Sequence, residues 1–178
     1  MNKNNKIEDS LNKIFSSSGY KMVDVSSKEV TYRKALAVGE IILSSKVIEM
    51  IKQKKMPKGD PLAIAEVSGI NGVKKTSELI PLCHPLPLDH ISIHSEINET
   101  KNSITVYCLV SANSKTGVEM EALSGVNSAL LAIYDLSKIV EPNLKIKNIK
   151  LLVKSGGKKG LWINPDGIPK KIKNALNI

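Results

Sequence analysis

From Gly117 to Val140 the chain reads GVEMEALSGVNSALLAIYDLSKIV, its longest stretch of helical period, and Pro142 ends it. Leu123, Val126, Leu130 and Ile133 recur on one side at steps of three and four, so this helix carries an apolar stripe that a second layer must cover. The neighbouring segments say what that layer is. LDHISIHSEI and NSITVYCLVSA, around the turn-forming NETKN, read as a hairpin just upstream, and KIKNIKLLVKS reads as a strand just downstream. Further upstream, MVDVS and EVTYRKALAVGEIIL run in the manner of a strand. SSKVIEMIKQKK then offers a serine cap and the helical spacing of Val47, Ile48 and Ile51. A second helix starts at Asp60-Pro61 and continues through Leu62, Ala65 and Ile70 toward Leu79. Strand, helices, strand, strand, helix, strand is the ferredoxin-like split βαβ order. It predicts an α+β sandwich, an antiparallel sheet with helices packed on one face.

A length of 178 residues suits one core. A single domain is expected over residues 22–160, with a flexible leader over 1–21 and a C-terminal tail over 161–178, for which an interaction tail and plain disorder both stay open. Hydrophobic residues at 42% and charged ones at 24% are a globular balance, and no apolar run approaches the roughly 20 residues that cross a bilayer. The leader lacks the apolar stretch of a secretory signal, and Glu8 and Asp9 argue against a transit peptide, so a cytoplasmic protein with no membrane partner is expected. Two cysteines are too few for a disulfide framework and lack zinc-site spacing.

A net charge of +9 points to an anionic partner or substrate, or to a merely lysine-rich surface. Aromatic residues at 3% leave few platforms for stacking nucleic-acid bases, which argues against nucleic acid as a partner. One fragment keeps a KH-like RNA-binding module as the alternative: SGINGVKKT, residues 68–76, has a G-x-x-G followed by two lysines, and reads equally as a glycine-softened helix turn.

Candidate chemistry gathers in two places. In ELIPLCHPLPL, residues 78–88, three prolines hold the backbone extended, so Cys83 and His84 point in different directions and do not form a thiolate and its base. No further Cys or His at short spacing completes a metal shell. The segment instead offers backbone groups and an imidazole to a ligand, or is an ordinary structured loop. His90 and His94 lie about 13 Å apart along one strand, too far to share a metal. On the long helix Glu121, Ser124, Ser128, Asp135 and Lys138 form a second, small and polar face. Asp135 and Lys138 are either a surface ion pair or, in a cleft, a proton-transfer pair. Glu119 and Met120 stand roughly 22 Å along the axis from Asp135, so if both ends belong to active sites, either the ligand is long or the sites are shared between chains.

The succession MVDVS (22–26), KGD (58–60), IPLCHPL (80–86), KTGVEMEAL (115–123), YDLSK (134–138) and LLVKSGGKKG (151–160) resembles the cyclic pyranopterin monophosphate synthase family, the molybdenum cofactor biosynthesis C proteins. The resemblance implies a lyase that rearranges 3′,8-cyclo-7,8-dihydro-GTP to cyclic pyranopterin monophosphate with release of pyrophosphate. It implies a homohexamer, a trimer of dimers, with sites at the dimer interface; no cofactor is expected, and the chain shows no metal-ligand cluster. By position it assigns catalysis to Asp135, Lys58, Lys138 and His84. Substrate binding falls to Leu82, Cys83, His84, Glu119, Met120, Glu121 and Lys154. On that reading Asp135 and Lys138 of one subunit work with Lys58 and the His84 loop of its neighbour.

Overall fold

The computed structural model describes residues 19–177 and, before them, Ile7, Ser10, Lys13 and Ile14; most of the expected leader lies outside the described residues. The first strand, β1 (Thr31–Ile42), alternates: Ala35, Ala37 and Ile41 face the main core, Leu36 and Val38 the opposite side. MVDVS does not extend it. The Asp24 carboxylate accepts from the Ser26 N–H at 2.8 Å and Lys28 N donates to Val25 O, so a local turn takes the amides that a strand would pair.

Two capped helices follow. In α1 (Ser45–Lys52) the Ser44 hydroxyl accepts from Val47 N. In α2 (Pro61–Lys74) Asp60 accepts from Leu62 N and Ala63 N, with Pro61 at the first position, where a missing N–H costs nothing. α2 stops short of Leu79. The Thr76 hydroxyl turns back on the carbonyls of Val73 (2.9 Å) and Gly72 (3.3 Å), and the chain continues as a separate turn, α3 (Thr76–Leu79).

The hairpin joins β2 (His90–Asn98) to β3 (Ser103–Ser114). The Asn98 side chain accepts from Lys101 N and the Thr100 hydroxyl, and Asn102 takes the left-handed conformation that closes the turn. The long helix is α4 (Glu119–Ser137), followed by β4 (Lys145–Ser155), the short β5 (Trp162–Ile163) and α5 (Lys170–Leu176). The sheet is antiparallel in the order β2-β3-β1-β4-β5, the ferredoxin-like α+β arrangement expected, with α2 and α4 against its main-core face. The tail segment lies on the other face: Ile168, Ile172 and Leu176 pack with Leu36, Val38, Tyr107 and Leu152.

Where α2 crosses α4, side chains are small. A methyl group at Gly72 would stand 2.5 Å from the Ser128 Cβ, and one at Gly69 would stand 3.2 Å from the Gly125 carbonyl oxygen. Thus Ser124 and Ser128 of the polar face on α4 serve close helix packing. The G-x-x-G lies inside a helix, turned toward that contact, so it is not a loop that clamps a nucleic-acid backbone.

Candidate active site

Three groups of polar residues sit around α4. At its C-terminal end the Asp135 Oδ1 accepts from Lys138 Nζ at 2.7 Å, one turn on, and Oδ2 accepts from Lys58 Nζ at 3.0 Å. Lys58 comes from the turn between α1 and α2. Buried Met56 anchors that turn, Gly59 N donates to Met56 O, and Gly59 at φ +96° supplies a conformation that a side chain would strain. The bond from Lys138, and then that from Lys58, holds the Asp135 carboxyl below its ordinary value; the bond to Asp135 holds Lys138 above its own. The group is therefore a carboxylate between two ammonium groups, open to solvent. Lys58 meets Asp135 within one chain, whereas the sequence reading drew it from the neighbouring subunit.

Near the N-terminal end, Glu121 is 5% exposed. It faces a cavity of about 320 Å³ shared with Lys74, Thr76, Ser77 and His84. Burial pushes its carboxyl up, a bond from its own backbone opposes this, and the Glu119 charge pushes it up again. The loop across the cavity is held by Leu86 and Leu88, packed on the core, and by Asp89, which accepts from Asn113 N at 2.7 Å. Cys83 lies half-buried in the same loop. Burial, and then the Glu121 charge, raises its thiol, which works against a thiolate there. Cys108 is buried mid-strand and pushed up to about 12. Leu82 and Met120 present apolar surface at this end, 49% and 38% exposed.

The third group opens beside it, between β1, the 115–119 segment and the end of β4. This cleft, about 710 Å³, is lined by Arg33, Lys28, Lys115, Lys154 and Lys158. Lys154 Nζ donates to Glu119 at 2.8 Å, and Arg33 Nε donates to the Ser114 carbonyl at 3.4 Å. Gly156 and Gly157, at φ +98° and +69°, bring backbone against Tyr32 and Arg33 where a Cβ would stand 2.2 Å from the Tyr32 oxygen. Sequence reasoning missed Arg33. Its signal was available: it is the single arginine in a chain whose other cationic residues are lysines, and a guanidinium fork suits phosphate or carboxylate.

The predicted residues thus fall into two ends. Leu82, Cys83, His84, Glu119, Met120, Glu121 and Lys154 gather around the N-terminal half of α4, while Lys58, Asp135 and Lys138 gather at its C-terminus. At 1.5 Å per residue the ends are about 21–24 Å apart along the axis. Among the described residues no group of three or more His, Cys, Asp or Glu is arranged to hold a metal ion, and no helix is long and apolar enough to cross a membrane.

The sequence model of the MoaC family matches residues 22–157. A cyclic pyranopterin monophosphate synthase of Chloroflexus aurantiacus is 43% identical over 145 residues, covering 82% of this chain and 89% of its own. One of Clostridium perfringens is 48% identical over 139 residues, 78% of this chain and 88% of its own. A molybdenum cofactor biosynthesis bifunctional protein of Synechococcus elongatus is 45% identical over 144 residues, 81% of this chain but 45% of that longer protein.

Proposed function

Because the chain belongs to the MoaC family, we propose that it is a cyclic pyranopterin monophosphate synthase, a lyase that converts 3′,8-cyclo-7,8-dihydro-GTP to cyclic pyranopterin monophosphate and pyrophosphate in molybdenum cofactor biosynthesis. The observation that carries the reading is the Lys58–Asp135–Lys138 cluster, a carboxylate bridged by two cations on otherwise open surface. Forming a cyclic phosphate makes a bond from a substrate hydroxyl to the α-phosphorus and breaks the bond from that phosphorus to the bridging oxygen. The hydroxyl proton needs a base, and the leaving pyrophosphate needs positive charge. Asp135 suits the first role and the paired lysines the second. The basic cleft with Arg33, Lys28 and Lys154 suits the triphosphate, and the carboxyls of Glu119 and Glu121 suit the N–H groups of the guanine-derived ring. His84, on the loop that lines the cavity with Glu121, suits contact with the same ligand.

The separation of the two ends favours sites shared between chains of a cytoplasmic homohexamer, a trimer of dimers. Lys58 joins Asp135 and Lys138 as one chain's contribution, and the His84 loop with Glu119, Glu121 and Lys154 is the partner's. Exposed Ile64 and Val67 on α2 and Leu131 on α4 offer apolar surface for such contact.

Purified protein supplied with the cyclised GTP derivative should form the pterin. Asp135→Asn and Lys58→Ala should lose at least about a hundredfold in kcat while folding normally, the usual scale of general acid–base catalysis. Mixing Asp135→Asn with His84→Ala chains after dissociation should restore about a quarter of wild-type activity. In an isologous dimer half the pairs are mixed, and each mixed pair keeps one intact site. Wild-type rates in either Asp135→Asn or Lys58→Ala sink the catalytic assignment; no recovery on mixing sinks the shared site alone.

A further inference from the structure

The loop from Gly156 to Gly160 closes one side of the basic cleft and carries Lys158 and Lys159. Three of its five residues are glycines at positive φ, at +98°, +69° and +60°, so the loop has little conformational preference of its own and must be fixed from its ends. Upstream it leaves β4. Downstream it is fixed by residues beyond the matched family segment, and there the chain is tied repeatedly. Trp162 and Ile163 pair with Lys154 and Val153. Asn164 donates from its backbone to Leu152 O (2.9 Å) and from its side chain to Leu151 O (2.7 Å). A turn closed by Gly167 N on Asn164 O, with Gly167 at φ +89°, sends the chain across the second sheet face. Buried Ile168, then Ile172 and Leu176 of α5, dock among Val38, Tyr107 and Leu152. Lys171 reaches Glu96 on β2 and lies 4.0 Å over the Tyr107 ring. A seven-residue helix does not persist alone in water, so α5 exists because it is docked.

We propose that residues 161–176 are a clamp whose docking on the second sheet face holds the 156–160 loop in its cleft-closing position and so sets affinity for the substrate's phosphates. Trp162 and Asn164 are positioning residues here. They face β4 and act on Lys154 and Lys158 through the hairpin that carries both. The inference rests on the reading of the cleft as a phosphate site and adds how that site is kept formed.

The test is Ile172→Asp in the full-length chain, which sets a carboxylate against the second cluster and leaves the main core untouched. Hydrogen exchange should show lost protection over 156–176 with β1 and α4 unchanged. If release leaves the closed loop populated about a tenth of the time, KM and the dissociation constant for inorganic pyrophosphate rise about tenfold, with kcat within about twofold. Should α5 stay docked in that variant, Ile168→Asp, at a 9% exposed position, releases it and is read in the same way. Release of α5 with KM and pyrophosphate affinity unchanged overturns the clamp, as does a fall in kcat at constant KM. Lys158→Ala and Arg33→Ala separate the two ideas. If neither weakens pyrophosphate binding, the phosphate reading of the cleft fails and takes the clamp with it; if both do while the α5 variants do not, only the clamp fails.

Discussion

Gly72→Ala is the substitution whose cost follows most directly from the geometry. A methyl group there would lie 2.0 Å from the Ser128 hydroxyl, 2.5 Å from the Ser128 Cβ and 3.0 Å from the Ser124 carbonyl oxygen. The hydroxyl can rotate away, but the Cβ is fixed directly to the backbone of α4 and the carbonyl is part of it, so the two helices must part. Overpacking of this kind costs about 1–3 kcal/mol, and a 2.5 Å contact with an immobile Cβ belongs at the upper end. Alanine returns about 1 kcal/mol of helix propensity over glycine. The net loss is then about 2 kcal/mol, which in a chain of 178 residues lowers Tm by about 4–8 °C. Calorimetry at one protein concentration measures it, because any self-association would make Tm depend on concentration. Combining Gly72→Ala with Ser128→Gly removes the worst contacts and should recover more than half of the loss, a coupling that additivity does not predict. A Tm for Gly72→Ala equal to or above wild type would show that propensity outweighs packing and refute the close-approach argument. The same displacement carries the His84 loop away from Glu121, so a raised KM should accompany the lost stability.

The remaining predictions concern titration and thiols. Glu121 has a raised folded value, so the folded state holds its proton more tightly than the unfolded chain does. Stability should fall as pH rises from the ordinary carboxyl value through the raised one, and denaturation of Glu121→Gln should lack that slope. A thiol reagent at pH 7.5 should label Cys83 more slowly than a free cysteine and Cys108 only on unfolding. Cys83→Ser should act mainly on KM, keeping kcat within about tenfold of wild type, whereas loss of a covalent nucleophile would abolish turnover.

What was legible in the sequence is what is local. The hairpin shows in alternating residues around Asn98–Asn102, the helix starts in Ser44 and Asp60, and the long helix in its apolar stripe. Misreadings came where a side chain competes with the backbone: Asp24 takes the amide of Ser26, and Thr76 takes carbonyls of α2. The role of Ser124 and Ser128 was hidden because their partner, Gly72, lies about fifty residues away in sequence. The tail was illegible for the same reason. Ile168, Ile172 and Leu176 cover apolar residues drawn from β1, β3 and β4 that no spacing within the tail reveals. At the site, Asp135 and Lys138 are visible as neighbours one turn apart, but Lys58 is seventy-seven residues from Asp135, and only folding brings it there.

The placement of Asp135 bears on its chemistry. Glu119 and Glu121 occupy the first turn of α4, where the helix field favours negative charge; Asp135 occupies the last turns, where the field opposes it. The fold therefore does not stabilise this carboxylate through the helix, and what lowers its proton affinity below the ordinary value is the bond from Lys138 and then that from Lys58. Both lysines are about half exposed, on long flexible stems. On the proposed function, a polyphosphate entering the site would compete for the same two ammonium groups. Each hydrogen bond that passes from Asp135 to a phosphate oxygen raises the carboxylate's proton affinity. Substrate binding would thus turn a stabilised anion into a stronger base at the moment its lysines take up the charge of the leaving group, a coupling that a simple surface ion pair does not provide. NMR titration of Asp135 with and without inorganic pyrophosphate reads that coupling directly, and a carboxyl that titrates identically in both would exclude it.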